Sequence, residues 1–341
     1  MTATTALNEQ KTATEQYSVT PPAIGFDDFH PTQDSLLQEV LKGLAKEQKT
    51  IPPKFFYDAN GSKLFDEITQ LTEYYPTRTE IELIKTHRQE MARYIGSSIE
   101  LIELGSGSSL KVQLLLEGLK PSIYIPVDIS REHLLESCQR LAEYFPEIYI
   151  HAVCADYSSK LELPDLSNGN RKVVFFPGSS IGNFEPQAAA NLLENVATLV
   201  GQGGGLLIGV DLQKDHAVLN SAYNDGKGVT AAFNLNLLNR INSETGADFN
   251  LDKFSHKAFY NSQEERIEMH LVSNKEQQIN VNGSNFKFCK GESIHTENSY
   301  KYSVQSFQKL AASVGFKPVK TWVDPQSYFS IHYLEMFTAD G

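Results

Sequence analysis

Ile99-Glu100-Leu101-Ile102-Glu103-Leu104-Gly105-Ser106-Gly107 is the stretch on which the fold turns. An apolar strand runs into an acidic residue and then a tight Gly-x-Gly turn, and a helical segment follows from Ser109. Strand, glycine turn and helix together put backbone N–H groups and a helix N-terminus beside a ligand at the carboxyl end of a sheet strand. Leu110 stands where a dinucleotide fingerprint places its third glycine, so close helix approach to a pyrophosphate is not provided for. That disfavours a nicotinamide or flavin dinucleotide and suits a smaller nucleoside ligand, S-adenosylmethionine foremost. Glycine turns after strands are common, so this stretch alone leaves an ordinary turn equally open.

The second strand narrows the choice. Ser122 to Val127 is an apolar run ending in Asp128, 23 positions after Gly105. That is close to the spacing of about 20 at which an acidic residue grips ribose hydroxyls in nucleoside-binding α/β folds. A third strand near Ile148 to Val153 ends in Ala155-Asp156-Tyr157, an acid and an aromatic placed to take an adenine amino group and stack on its ring. Each could be a strand-end cap; three in succession are hard to ascribe to turn chemistry.

From about residue 98 to 212 strands and helices alternate. A helix follows Asp128 to Tyr144, Lys172 to Pro177 is a buried strand, Pro186 opens a helix through Val200, and Gly205 to Asp211 is the next strand. The pattern predicts a parallel, doubly wound sheet with ligands at the strand carboxyl ends. Lys317 to Val323 and Ser330 to Phe337 add two strands as an antiparallel edge. Residues 26 to 97 read as helical, with Thr77-Arg78-Thr79-Glu80 as a capping box after Pro76. Asn282-Gly283 signals a hairpin. In Arg266 to Leu271 strict alternation puts Ile267, Met269 and Leu271 on one face. The expected division is a disordered arm over 1–25, a substrate-binding domain from 26–78 and 213–300, and a nucleoside-binding domain from 79–212 and 301–341.

Composition limits the partners. A chain of 341 residues with 40% hydrophobic content has ample core. Its net charge of −12, from 30 basic and 42 acidic side chains, argues against nucleic acid, because phosphate binding needs clustered Lys and Arg. Cys138, Cys154 and Cys289 are too few and scattered for a disulfide framework or thiolate metal site, so a reducing cytoplasm is expected. Met1 to Thr20 lack a signal-peptide core, and no run reaches the roughly 20 apolar residues of a membrane span. None of the nine histidines falls in a His-x-His, His-x-x-x-His or His/Cys ligand pattern, so no metal is expected. His133, His151 and His270 read as surface or sheet residues. The sequence also has no Gly-x-Ser-x-Gly elbow and no phosphate-binding Gly-Lys-Ser/Thr loop.

Phe175 to Phe184 is the fourth strand's exit, where a donor methyl should lie. Its small residues expose backbone, and Asn183 offers a donor and an acceptor, although a plain helix cap before Pro186 accounts for it equally. Tyr57, Tyr74, Tyr75 and Tyr223 lie in polar, turn-rich contexts where a phenol could reach a carboxylate, and a packing role is open for each.

Tyr57-Asp58-Ala59-Asn60-Gly61-Ser62-Lys63-Leu64-Phe65-Asp66, Glu73-Tyr74-Tyr75-Pro76-Thr77-Arg78, Glu103 to Gly107, Gly178 to Asn183 and Glu264 to Met269 together resemble the histidine Nα-methyltransferases of ergothioneine biosynthesis, the histidine-specific S-adenosylmethionine-dependent methyltransferases. The resemblance runs from about Asp28 to the C-terminus. It implies a Rossmann-like class I methyltransferase sheet with an interleaved α+β substrate domain, and transfer of three methyl groups from S-adenosylmethionine to the α-amino group of free L-histidine, giving hercynine. By motif position it assigns Gly105, Lys111, Asp128, Asp156 and Tyr157 to the methyl donor; the family usually has Phe where Tyr157 keeps the stacking face. It assigns Tyr57, Phe65, Tyr74, Gly178, Asn183, Tyr223, Met269, Glu297 and Ser299 to the substrate, with Asn183, Tyr223 and Tyr57 nearest the chemistry. A monomer without metal, nucleic-acid or membrane partners is implied. Met269 could equally be core filler. The alternatives are an N-methyltransferase of another amino acid such as tryptophan, and a non-catalytic S-adenosylmethionine-binding protein.

Overall fold

The computed structural model describes residues 24–337 apart from 30–32, 108, 162, 165, 167 and 168. The arm expected over 1–25 therefore lies almost wholly outside the described residues. The chain runs β1 (Gly25–Asp28), α1 (Gln33–Leu44), β2 (Lys49–Thr50), α2 (Ala59–Thr69), α3 (Tyr75–Ile95), β3 (Ile99–Leu104), α4 (Leu110–Leu119), β4 (Ile123–Asp128), α5 (Arg131–Tyr144), β5 (Tyr149–Cys154), β6 (Arg171–Phe176), α6 (Pro186–Val200) and β7 (Gly205–Asp211). It continues through α7 (His216–Ala222), α8 (Val229–Thr245), β8 (Phe254–Asn261), β9 (Arg266–Ser273), β10 (Gln277–Val281), β11 (Ser284–Phe288), β12 (Ser293–Tyr300), α9 (Val304–Ala312), β13 (Phe316–Val323) and β14 (Phe329–Met336).

Eight strands form one sheet in the order β1-β5-β4-β3-β6-β7-β14-β13. The first six are parallel, and β14 and β13 run antiparallel at one end. Both faces are covered, so β3 and β7 are buried along their whole length, the two acids of β3, Glu100 and Glu103, included. Alternation divides each strand between two cores. Leu101 packs with Ile84, Met91, Leu115 and Leu134 from α3, α4 and α5. Ile102 packs with Leu192, Leu193 and Phe307 from α6 and α9. The strand order reverses at β3, between β4 and β6, so its carboxyl end opens the crevice in which such sheets bind ligands.

A second body covers that crevice. The four-stranded sheet β2-β12-β9-β8 buries Ile267, Met269 and Leu271 against Phe233, Leu237 and Ile241 of α8, which recur at helical spacing. The β10–β11 hairpin turns at Asn282 and Gly283, with φ of 46° and 87°, as the Asn-Gly signal requires.

Two local readings are corrected. Residues 26 to 97 are not all helical: β1 pairs in parallel with β5 in the large sheet, and β2 pairs with β12. The segment Gly25–Asp28 carries no alternation, and backbone pairing to β5 makes it a strand. The capping box at Thr77 to Glu80 does not form. Helix α3 starts at Tyr75 with Pro76 in its first turn, so Thr79 lies inside it and donates to Tyr75 O at 2.9 Å. Glu80, freed from capping, is buried completely. The division at 78/79 falls within this helix.

Candidate active site

The donor side is built at the ends of β3, β4 and β5. Gly105 has φ of +72° and donates to Val127 O at 2.8 Å, locking the turn to β4. A Cβ there would lie 3.5 Å from the Tyr157 ring, so glycine keeps open the space in front of that aromatic face. Asp128 accepts from Gly107 N at 3.1 Å and Ser130 N at 2.8 Å. Burial raises its pKa, and those two N–H groups oppose the shift. Tyr157 packs edge-on against Phe176 at 5.5 Å. Asp156 accepts from Ser158 N at 2.9 Å and from Lys54 Nζ at 3.0 Å. Burial works against its charge, yet Ser158 and Lys54 hold it below the usual carboxylate range.

Lys111, on the first turn of α4, reaches the exit of β6. A Cβ on Gly178, whose φ is +80°, would lie 3.5 Å from its ammonium. Glu80 holds Lys111 at 2.7 Å and accepts the Gly178 N–H at 2.9 and 3.1 Å. Gly209 of β7 is required beside it, because a Cβ there would collide with Glu80 Oε1. Carboxylate, aromatic face, open glycines and cation thus follow one another from Asp128 to Gly178. They fit a ligand with a ribose diol, a flat base and an anionic tail.

The substrate side hangs over this cleft. An aromatic chain leads across it: Tyr57 to Phe65 at 5.7 Å, Phe65 to Tyr74 at 6.3 Å and Tyr74 to Tyr223 at 6.1 Å between ring centres. The Tyr57 phenol is pushed well above its ordinary pKa by burial and then by Glu297, Tyr157, Tyr74 and Asp128, which places it between donor and substrate residues. Asn183 closes the short helical turn Ser180–Asn183, and Glu185 takes the N-cap position of α6. Gly182 in that turn packs so close to Tyr300 of β12 that a Cβ would lie 2.8 Å from its carbonyl oxygen. Asn183 is therefore held next to the strand that carries Glu297 and Ser299.

A β-bulge sets that strand. Register shifts between His295 and Glu297, so Met269 faces Glu297 and Ile267 faces Ser299 across β9 and β12. Directly opposed residues share a face, so Met269, Glu297 and Ser299 converge. Burial pushes the Glu297 carboxyl up to about 7, with Lys301 pulling it back. Tyr223 donates to Ser299 Oγ at 2.8 Å.

Four residues to which sequence patterns give no role in the site take part here: Glu80, Lys54, Asp211 and Lys301. Lys301 had one available signal, since Glu297, Ser299 and Lys301 are spaced by two, the period of one strand face. The fold also assembles a cluster invisible to sequence spacing. Ligand atoms of Glu268, His270 and His295 lie within 4.8 Å of one another, because His270 and His295 pair across β9 and β12. The two imidazoles stack at 4.6 Å and 14°, so their in-plane lone pairs run side by side rather than to one point. His270 meets Glu268 and Ser293 Oγ at 3.1 Å each, and His295 meets Glu297 O at 3.1 Å.

The six parallel strands, the antiparallel pair beside β7 and the glycine turn facing Asp128 define a Rossmann-like S-adenosylmethionine-dependent methyltransferase. Within that class the chain belongs to the family of histidine-specific, S-adenosylmethionine-dependent methyltransferases, whose sequence profile matches residues 36–336. It is 40% identical over 305 residues to the histidine N-alpha-methyltransferase of Mycolicibacterium smegmatis, covering 87% of this chain and 94% of the relative. The enzyme of the same name from Mycobacterium tuberculosis is 39% identical over 303 residues, with 87% and 94% covered. Ergothioneine biosynthesis protein 1 of Neurospora crassa is 31% identical over 307 residues, 84% of this chain and 33% of that longer protein.

Proposed function

We propose that this chain methylates the α-amino group of free L-histidine three times, using S-adenosylmethionine, to give histidine betaine (hercynine) for ergothioneine biosynthesis. The single observation that carries the histidine reading is the convergence of Glu297, Ser299 and Met269 created by the β12 bulge. A carboxylate and a hydroxyl beside a thioether suit an imidazole, which offers one ring N–H and one bare nitrogen, whereas an indole, with an N–H and no bare nitrogen, pairs with only one of the two.

The methyl donor supplies an electrophilic sulfonium carbon, attacked in line by the amine lone pair. Asp128 and Tyr157 would hold its nucleoside, with Asp156 at the base; Gly105 and Lys111 would accommodate its amino-acid end, and Gly178, beside Lys111, would border the substrate. Glu297 accepts the imidazole N–H, and Ser299 takes the other ring nitrogen. Asn183 and Tyr223 fix the carboxylate and amine, with Tyr74, Phe65 and Tyr57 walling the pocket. The raised pKa of Tyr57 keeps it a neutral phenol, suited to orienting the amine through its oxygen. Each transfer requires a neutral amine, so the substrate gives up one proton before each of three transfers. Alignment and a free lone pair suffice for this displacement, and no residue set here is assigned to a metal.

The protein is proposed to act as a cytoplasmic monomer on a small molecule, without nucleic-acid or membrane partners. Its charge of −12 supports the first exclusion, and no described helix is long and apolar enough to cross a membrane. The decisive experiment incubates purified protein with S-adenosylmethionine and free amino acids and reads products by mass spectrometry. Histidine should gain three methyl groups, all on the α-nitrogen, with turnover insensitive to a chelator. Methylation of the ring, or of tryptophan in preference to histidine, would overturn the reading.

A further inference from the structure

Behind Ser299 and Tyr223 lies Lys301, a cation with no exposed side-chain surface. An ammonium has three N–H donors and no acceptor. Three oxygens receive them: Asp211 Oδ2 at 2.7 Å, Ser299 Oγ at 2.8 Å and the Tyr223 hydroxyl at 3.3 Å. Asp211 is held in turn by Lys214 at 2.5 Å and by the Tyr75 hydroxyl at 2.8 Å to each oxygen. Burial disfavours its charge, but Lys301 and Lys214 keep it below the usual carboxylate range. Lys301 is paired with Asp211, and its ammonium presents donors only.

This takes one lone pair from each of the two hydroxyls in front of it. Ser299 Oγ accepts from Lys301 and, at 2.8 Å, from the Tyr223 O–H; in that arrangement both its lone pairs are taken and its own proton is left for the pocket. Glu297, two residues earlier on the same strand face, offers the opposite polarity. We propose that Lys301 is a positioning residue that forces Ser299 to act as a hydrogen-bond donor, so the pocket presents one donor and one acceptor and selects a ring with one N–H and one bare nitrogen, the neutral imidazole.

The proposal rests on the histidine reading above and is tested so that the two fail separately. Purified wild type, Ser299→Ala, Lys301→Met and the double variant are assayed with S-adenosylmethionine on histidine, β-(2-pyrrolyl)alanine and β-(3-pyrrolyl)alanine. The pyrrole analogues keep one ring N–H and lack the bare nitrogen. Wild type should prefer histidine to both by about 100-fold or more, because a pyrrole strands the Ser299 hydroxyl. Each single variant should lower that ratio about tenfold or more, and the double variant should lower it no further. Calorimetric titration with S-adenosylmethionine should give the wild-type affinity throughout, reporting an intact fold. Lys301→Gln, which adds an acceptor towards Ser299, should lower the ratio likewise and keeps the test readable if the Met variant does not fold. Equal losses on histidine and pyrroles, or effects that multiply in the double variant, would overturn the role of Lys301. Absence of histidine methylation by wild type would instead overturn the function.

Discussion

Glu80 on the second turn of α3 lies 2.7 Å from the Lys111 ammonium on α4, and the same carboxylate accepts the Gly178 N–H leaving β6. One buried acid thus ties together a helix, the donor-side lysine and the loop that leads to Asn183. Burying a carboxylate without partners is costly. Lys111 and the backbone amide compensate it, and they are held in place by it.

Removing Glu80 should therefore cost stability as well as activity. Glu80→Ala leaves Lys111 without its counter-charge and Gly178 without an acceptor, and losing one member of a buried pair destabilises by about 3–5 kcal/mol. Denaturant unfolding of wild type and variant measures the difference. A loss below about 1 kcal/mol would show the pair to behave like a surface contact.

Asp128 stands at the end of β4 with one oxygen on Gly107 N and the other on Ser130 N, leaving further lone pairs towards the cleft. If it grips the donor ribose, Asp128→Ala should weaken S-adenosylmethionine binding by roughly 1.5–3 kcal/mol, the value of hydrogen bonds to a charged group. Isothermal titration with far-UV circular dichroism as a fold control makes the measurement. Wild-type affinity in the variant would remove the ribose role.

The central sheet was readable because each inner strand is an apolar run stopped by a glycine or an acid. Ile99 to Leu104, Ile123 to Asp128 and Gly205 to Asp211 all fall where those signals put them. Gly25–Asp28 was not readable, since its two aspartates carry no strand pattern and partner backbone alone orders it. Glu80 is misread for a related reason: a Thr-x-x-Glu spacing is the same whether Thr77 caps the helix or the cap lies three residues earlier at Tyr74, and Pro76 in the first turn settles the start. The cross-strand groupings, Met269 with Glu297 and His270 with His295, depend on register and on a bulge, which residue spacing within either strand does not encode. At the level of sequence, Met269 and Glu297 come together only through the family resemblance.

Glu297 should impose a pH limb. Its carboxyl is pushed up to about 7 by burial, whereas an unfolded glutamate titrates near ~4.3. The ionised carboxylate accepts the imidazole N–H more strongly than the protonated acid does, so histidine kcat/KM should rise with pH through about 7, and Glu297→Gln should remove that limb. Stability runs the other way. A raised carboxyl pKa binds protons more tightly in the folded state, so its contribution is fully present below about 4.3 and is lost as pH rises to about 7. Relative to Glu297→Gln, ligand-free wild type should therefore lose melting temperature between pH 4.5 and pH 7 and change little above. A difference that stays constant with pH would mean that Glu297 titrates as an ordinary exposed acid.

The last prediction concerns selectivity, and it follows from Met269 and Glu297 facing each other across β9 and β12. A site that hydrogen-bonds its substrate rejects analogues lacking the partner by as much as ~10⁴-fold, because buried polar groups are left without partners. Wild type should therefore favour histidine strongly over phenylalanine or tryptophan. Changing Glu297→Ala together with Met269→Val removes the acceptor of the imidazole N–H and shortens the opposing thioether, opening the space that imidazole leaves narrow. Histidine turnover should then fall while tryptophan turnover rises. Competition between the two amino acids, followed by mass spectrometry with wild type and the double variant, gives the ratio directly. If the double variant keeps the wild-type ratio, the two residues do not form the specificity pocket, and the imidazole must be recognised elsewhere in the cleft.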